Sequence, residues 1–261
     1  VVRKALELGF SAVSITDHDS VRGIGPAMKA AEATPLEIIP GVELSCAGKK
    51  RELHMLGYFI DHEDRHLVRV LEKMKSGRIR RMKKMVSCLR DKGLDISADD
   101  LFDPRRPGTV GRLHLAREMV ERGLVSNRRE AFRRYIGDGR NCHVRHERMD
   151  AGKAIDIIRK AGGVPVLAHP GTTECDEEIP ELVSRGLRGL EVYHSKHYSS
   201  TCERYLKMAG SLGLLVTGGS DCHGRRDSRS GIGSVRLDCE RVEALREESR
   251  AIRAKGPGGS L

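Results

Sequence analysis

The chain has 261 residues, enough for one α/β domain of barrel size or for a core carrying an inserted lobe. Tryptophan is absent and aromatic residues make up 3%, so few side chains are available to stack on nucleobases, and no run is long and apolar enough to span a bilayer. The net charge of +10 is uneven: Arg65 to Arg148 holds 23 Lys and Arg against 11 Asp and Glu, a net of +12, and the remainder is −2. A localised basic lobe is a handle for polyanions such as nucleic acid or phosphorylated metabolites, and a solvated helical surface is the alternative. Seven cysteines in no regular spacing argue against a disulfide framework and for a reducing, cytoplasmic setting.

Val1 to Leu8 has the spacing of an amphipathic helix, with Gly9 as its C-cap, and Phe10 to Thr16 turns to strand character. A chain that opens inside a helix is expected to have lost an earlier strand. The apolar stretch Ala12 to Ile15 runs out at Asp17-His18-Asp19. Polar, metal-capable residues at the end of a buried parallel strand are where α/β folds place their chemistry. Val21 to Ala33 reads as helix, and Leu36 to Ile39 leads through Pro40-Gly41 into Val42-Glu43-Leu44-Ser45-Cys46. A hairpin turn follows before Arg51 to Ile60. With Gly48-Lys49 as a two-residue type II′ loop, Ala47 pairs with Lys50 and Glu43 falls directly opposite His54, within reach of one ion.

Leu67 to Arg90 is a long helix with Met74, Met82 and Met85 in its apolar stripe, which reads as lobe core rather than a cofactor site. Asp95 to Pro107 is loop-like. Gly111 to Arg122 is a second helix and Asn127 to Ile136 a third, with Asn127 and Glu130 as a capping box and Gly137 as the stop. The chain therefore divides into an α/β part over 1–66, a basic all-α insertion over 67–146 and a second α/β part over 147–261. In that last part Ala154 to Ala161, Ile179 to Ser184 and Cys202 to Leu212 are helices, and a charged helix runs from Glu240 into a glycine-rich end. The strands between them are Val164 to Ala168, ending in His169-Pro170; Leu187 to Val192, ending in Tyr193-His194-Ser195-Lys196-His197; and Leu214 to Thr217, ending in Gly218-Gly219-Ser220-Asp221-Cys222-His223. Asp221 and His223, two apart, share a side if the backbone is extended.

One histidine at a strand end is usually structural. Four strand ends terminating in His or carboxylate, together with an opposed Glu43–His54 pair, point instead to a multi-metal site with nitrogen and oxygen ligands, suited to Zn²⁺, Mn²⁺ or Fe²⁺. No Ser or Cys nucleophile motif appears, which favours direct attack by water.

Thr16-Asp17-His18-Asp19, Gly41-Val42-Glu43, His54-Met55-Leu56-Gly57-Tyr58, Ala168-His169-Pro170-Gly171, Gly189-Leu190-Glu191-Val192-Tyr193 and Gly219-Ser220-Asp221-Cys222-His223 together resemble the PHP (polymerase and histidinol phosphatase) family. The insertion, with Gly111-Arg112-Leu113-His114-Leu115-Ala116-Arg117 and Ala131-Phe132-Arg133-Arg134-Tyr135, resembles the branch of nucleoside 3′,5′-bisphosphate phosphatases and 5′-to-3′ exonucleases. The resemblance implies a distorted (β/α)₇ barrel binding two to three divalent ions, Mn²⁺ first. Glu43 would bridge two ions, His54 and His169 would complete the second, Asp221 would join the first, and His18 and His223 would hold the third. Asp17 and Asp19 would orient His18. The family's opening strand with its His-X-His and Ser-Asp-Gly segments has no counterpart here, so a truncated, inactive chain is among the expectations.

The expected activity is metal-dependent hydrolysis of phosphate esters, on 3′,5′-bisphosphonucleotides or 5′-phosphorylated short RNA or DNA, with Glu43, Asp221 and His223 in catalysis. Arg112, His114, Arg117 and Arg134 are candidates to clamp a second phosphate, with a solvated face as their alternative. His194 and His197 are candidates for substrate contact or for structure, and His62, His66, His143 and His146 are read as surface residues. A histidinol-phosphate phosphatase and a non-catalytic nucleic-acid-binding module are the rival readings. Neither a membrane nor an obligate protein partner is expected.

Overall fold

The computed structural model describes residues 1–97, 101, 110–145, 148–223 and 231–256. The chain divides into two compact units, one of 1–68 with 148–261 and one of 69–147. His146, Pro257 to Gly259 and most of the loop expected over 95–107 lie outside the described residues.

In the first unit, α1 (Val2–Glu7) ends where the sequence predicts: Gly9 takes φ +71°, and the Phe10 N–H returns to Ala5 O at 3.1 Å. There follow β1 (Ala12–Ile15), α2 (Ile24–Ala31), β2 (Glu37–Ala47) and β3 (Glu52–Tyr58). The two stretches expected on either side of Pro40 are one continuous strand. Pro40 has no N–H to donate, and its carbonyl accepts from Ile60 N–H at 3.3 Å.

Helix α3 (Arg65–Asp91) leads into the second unit, which holds α4 (Arg112–Glu121), α5 (Arg128–Ala131) and a π-helical turn over Phe132–Ile136. The first unit resumes with β4 (Met149–Asp150), α6 (Ala151–Lys160), β5 (Val164–Leu167) and α7 (Pro170–Thr173). A 3₁₀ turn (Asp176–Glu178) leads into α8 (Ile179–Ser184), β6 (Gly189–His194), α9 (Ser199–Leu212), β7 (Leu215–Gly219) and α10 (Cys239–Lys255).

Among the described residues seven strands form one curled sheet in the order β1-β2-β3-β5-β6-β7, with β4 also on β2. The β1–β2, β5–β6 and β6–β7 pairs are parallel, and β3 runs antiparallel to both β2 and β5. This is the distorted barrel that the motifs imply. Its middle strand β5 reads Val-Pro-Val-Leu and is buried throughout, as a strand covered on both faces must be. Val164, Val166, Leu56 and Ile39 pack with Leu245 and Ile252 of α10, so the C-terminal helix closes one face of the sheet.

In the second unit the methionine stripe is core: Met82, Met85 and Leu89 of α3 are fully buried among Leu115 and Met119 of α4 and Ile136. Two expectations need correction here. Cys88 and Cys142 are joined in a disulfide, whereas Cys46, Cys175, Cys202, Cys222 and Cys239 are free. The helix expected over Asn127 to Ile136 starts as α, with Asn127 Oδ1 accepting the Glu130 N–H at 3.0 Å, and then widens to π, where Gly137 N–H donates to Phe132 O. Glu130 reaches Ser126 N–H rather than that of Asn127, which leaves the capping box half made.

Candidate metal centre

In the parallel β1–β2 ladder Ala12 faces Glu37, and the same offset recurs past the end of β1 as a bridge between His18 and Glu43. Asp19 N–H donates to Glu43 O at 2.9 Å, and Glu43 N–H donates to Asp17 O at 3.3 Å. His18 therefore stands beside Glu43 because the ladder outlasts the strand. Asp19 is buried, and its Oδ1 accepts the Ser45 N–H at 2.9 Å, pinning the His18 turn to β2. Glu43 itself lies inside β2 and not at a strand end.

The hairpin register differs from the expected one. Glu43 pairs with Leu56, Ser45 with His54 and Ala47 with Glu52, so the turn spans Gly48 to Arg51. The slip is two residues, and a slip of two keeps every side chain on its own face. His54 becomes the diagonal neighbour of Glu43, and an imidazole is long enough to close that gap. Its Nδ1 lies 2.8 Å from Glu43 Oε1. The turn closes around Lys49-Lys50, with Gly48 N–H donating to Arg51 O at 2.8 Å, and a distant residue braces it: Lys49 N–H donates to the buried Glu178 at 2.8 Å.

His169 follows β5 in a left-handed conformation (φ 30°, ψ 54°) and starts α7. Its Nε2 lies 3.4 Å from Glu43 Oε1 and 3.2 Å from His54 Nδ1. The Thr172 hydroxyl lies 2.9 Å from His169 O, to which it donates, and 3.0 Å from the ring Nδ1. The ring stands with Nε2 towards Glu43.

Asp221 and His223 follow β7. Asp221 takes φ +51°, so the extended backbone expected there is absent, and His223 Nδ1 turns back to Asp221 O at 2.8 Å. Both residues still join the cluster: the His223 ring lies 5.7 Å from that of His18, and Asp221 Oδ1 lies 3.4 Å from His223 Nδ1. Lys196 Nζ donates to Asp221 Oδ2 at 3.0 Å, and His194 Nε2 stands 3.6 Å from the same oxygen. The rings continue from His169 to His194 (5.3 Å) and on to His197 (5.2 Å), whose Nδ1 donates to Val192 O at 2.8 Å.

The electrostatics follow from this crowding. Burial alone would raise the Glu43 pKa, but hydrogen bonds from His169 and His54 and the charge of His18 hold it at about 2. Burial works against a charged His54, yet its bonds to Glu43 and Glu52 raise it to about 9. Burial lowers the His18 pKa, opposed by Glu43. His18, Glu43 and His54 each offer one ligand atom, all within 4.8 Å of one another. Imidazole nitrogen around a shared, ionised carboxylate fits a divalent cation.

All six expected ligands, His18, Glu43, His54, His169, Asp221 and His223, thus meet in one unit, joined by His194 and His197. Arg112, His114, Arg117 and Arg134 belong to the other unit, where Arg112 pairs with Asp138 at 2.6 Å and Arg134 with Glu130 at 2.7 Å. Sequence reasoning missed three neighbours: Thr172, Lys196 and the buried Glu191. Glu191 left a readable signal, as a lone carboxylate inside the otherwise apolar Gly189-Leu190-Glu191-Val192. Burial, followed by the charges of Glu43 and Asp221, pushes its pKa up to about 8, against the bond it accepts from the His169 N–H.

No family model matches the chain. A protein of Bifidobacterium adolescentis assigned as a metal-dependent phosphoesterase superposes with a TM-score of 0.80 at 30% identity, covering 94% of this chain and 88% of that one. The 3′,5′-nucleoside bisphosphate phosphatase of Chromobacterium violaceum is 28% identical over 239 residues, 89% of this chain and 84% of its own. The 5′-3′ exoribonuclease of Haemophilus influenzae is 34% identical over 170 residues, 65% of this chain and 62% of its own. With the curled sheet and the His/Glu cluster in place, the chain belongs to the PHP family of metal-dependent phosphoesterases. No described helix is long and apolar enough to cross a membrane.

Proposed function

We propose that the chain hydrolyses phosphate esters of nucleotides, either 3′,5′-bisphosphonucleotides or 5′-phosphorylated short RNA or DNA. The observation that carries this is the convergence of Glu43 with His18, His54 and His169 at 2.8–3.6 Å. The names of the relatives from Chromobacterium and Haemophilus support the substrate class. The cluster would hold two to three divalent cations, Mn²⁺ first, with Zn²⁺ and Fe²⁺ as alternatives. Glu43 would be the shared ligand, with His54 and His169 serving the second ion, Asp221 the first, and His18 with His223 the third. Cations held there lower the pKa of water and neutralise charge on phosphoryl oxygens. Glu43 stays ionised throughout the neutral range, and Asp221 is held well below the usual carboxylate range against burial, chiefly by His194 and Lys196. His223 shares the catalytic role, and His194 and His197 line the substrate side. Arg112, His114, Arg117 and Arg134 clamp a second phosphate, because guanidinium forks match phosphate oxygens.

The test is the metal content of the purified chain and of Glu43→Ala, followed by hydrolysis of a bisphosphonucleotide, a 5′-phosphorylated oligonucleotide and histidinol phosphate. Bound metal that is largely lost in Glu43→Ala, with turnover of either nucleotide substrate, is the expected result. A folded chain that takes up no added Mn²⁺, or one that turns over only histidinol phosphate, overturns the reading.

A further inference from the structure

Glu191 is a buried carboxylate, 4% exposed, whose hydrogen bond reaches the backbone of a ligand rather than its side chain. It sits on β6, opposite Thr217 of β7, at the point where the β6–β7 register shifts. Its Oε2 accepts the His169 N–H at 2.9 Å. Its Oε1 lies against β7, 2.6 Å from the place a Cβ on Gly219 would occupy, two residues before Asp221. The side chain therefore spans the ends of three neighbouring strands, touching the turn that carries His169 and the approach to Asp221.

His169 needs such a partner. A non-glycine residue with φ +30° is strained, and it persists only where its surroundings over-determine it. Thr172 contacts the ring at Nδ1 and the carbonyl at O, but as the residue three further along it does not tie the His169 backbone to the sheet. The His169 N–H is a buried donor at the first position of a helix, with no intrahelical acceptor of its own. Glu191 supplies that acceptor from the neighbouring strand.

We propose that Glu191 is a positioning residue for the metal centre. By accepting the His169 N–H it fixes the left-handed turn that aims His169 Nε2 at Glu43, and the absent side chain at Gly219 makes room for it. The inference rests on His169 being a metal ligand. What Glu191 supplies is an acceptor oxygen at one place, so Gln can replace it and Met, of similar length, cannot.

The experiment measures Mn²⁺ affinity by calorimetry and protection of the His169 amide by hydrogen exchange, in wild type, Glu191→Gln, Glu191→Met, Gly219→Ala and His169→Ala. Glu191→Gln is expected to keep His169 protection and to bind Mn²⁺ within about twofold of wild type. Glu191→Met is expected to lose that protection and 10- to 100-fold in affinity, on the order seen when the partner that orients a ligand is removed. Gly219→Ala leaves residue 191 unchanged but forces its carboxylate aside, and is expected to shift affinity in the same direction; it serves if Glu191→Met does not fold. Wild-type affinity in a folded Glu191→Met or Gly219→Ala, or a loss in Glu191→Gln as large as that in Glu191→Met, overturns the proposal. Unchanged affinity in His169→Ala removes the ligand reading and this proposal with it, whereas a fall in His169→Ala alone removes only the role of Glu191.

Discussion

Glu43 and His54 share one proton economy. With Nδ1 and Oε1 2.8 Å apart, the His54 pKa of about 9 means that the metal-free protein holds a protonated His54 at pH 7. A cation that takes the imidazole must displace that proton, so metal affinity is expected to rise with pH by about tenfold per unit up to about pH 9. Calorimetry in buffers of different ionisation enthalpy checks this, and one proton released at pH 7 as the His54 site fills is the expected count. The same shifts act on stability. Because the folded His54 pKa is raised above its usual 6.5, its contribution is fully present below pH 6.5 and is lost as pH rises through about 9. Glu43, depressed from 4.5 to about 2, contributes above pH 4.5 and loses that contribution as pH falls through about 2. The Tm of chelated protein is therefore expected to decline between pH 6.5 and 9, and His54→Gln to flatten that slope. Thiols give an independent check on burial. Cys46 is pushed up to about 12 by burial and then by Glu52, Asp150 and Glu178, whereas Cys222 and Cys239 are exposed. Native-state alkylation at pH 8 is expected to label Cys222 and Cys239 and to leave Cys46 untouched.

At the scale of elements, the β2–β3 hairpin shows what a local rule can and cannot settle. Alternation along the strands places Glu43 and His54 on one face, and a register slip of two respects that alternation. The turn is braced from elsewhere, by a segment more than a hundred residues on: Lys49 pairs with Glu181 at 2.8 Å, Lys50 with Glu177 at 2.6 Å and Arg51 with Glu174 at 3.3 Å. Exposed pairs of this kind are individually weak, so the buried Glu178, which accepts the Lys49 N–H, carries the register. Glu178→Ala is expected to cost about 0.5–1.5 kcal/mol in urea unfolding, the net worth of the part-buried hydrogen bond it removes. Lys50→Ala is expected to change stability far less. In the second unit, Asn127→Ala is expected to cost about 1 kcal/mol through the lost N-cap.

For the whole molecule, charge is the property that the core does not dictate. The first unit carries the metal-capable cluster, and the +12 excess lies between Arg65 and Arg148. If that excess binds substrate backbone, KM for a 5′-phosphorylated oligonucleotide should rise steeply between 50 and 200 mM salt, with kcat changing little. KM for a mononucleotide bisphosphate should rise less, because fewer phosphates are engaged. Arg112→Ala is expected to raise KM for the bisphosphate, and an unchanged KM would remove Arg112 from the clamp. A salt-independent KM for the oligonucleotide would assign the basic surface to solvation alone.

Residue type and periodicity were enough for the longer strands and helices, the methionine core of the second unit and the six members of the His/carboxylate cluster, but not for β4, α7 or the π turn after α5. Apolar runs that end in polar, metal-capable groups state their burial and their chemistry together. Distance along the chain hid the rest. The sequence does not say that Glu178 would hold the turn at Lys49, that the β1–β2 ladder would outlast β1 to set His18 beside Glu43, or that Cys88 would meet Cys142. Nor does it say which carboxylate would orient His169. Each of these is a contact between segments far apart in sequence, and only packing decides it: a buried N–H or carboxylate takes whichever partner the fold brings within about 3 Å.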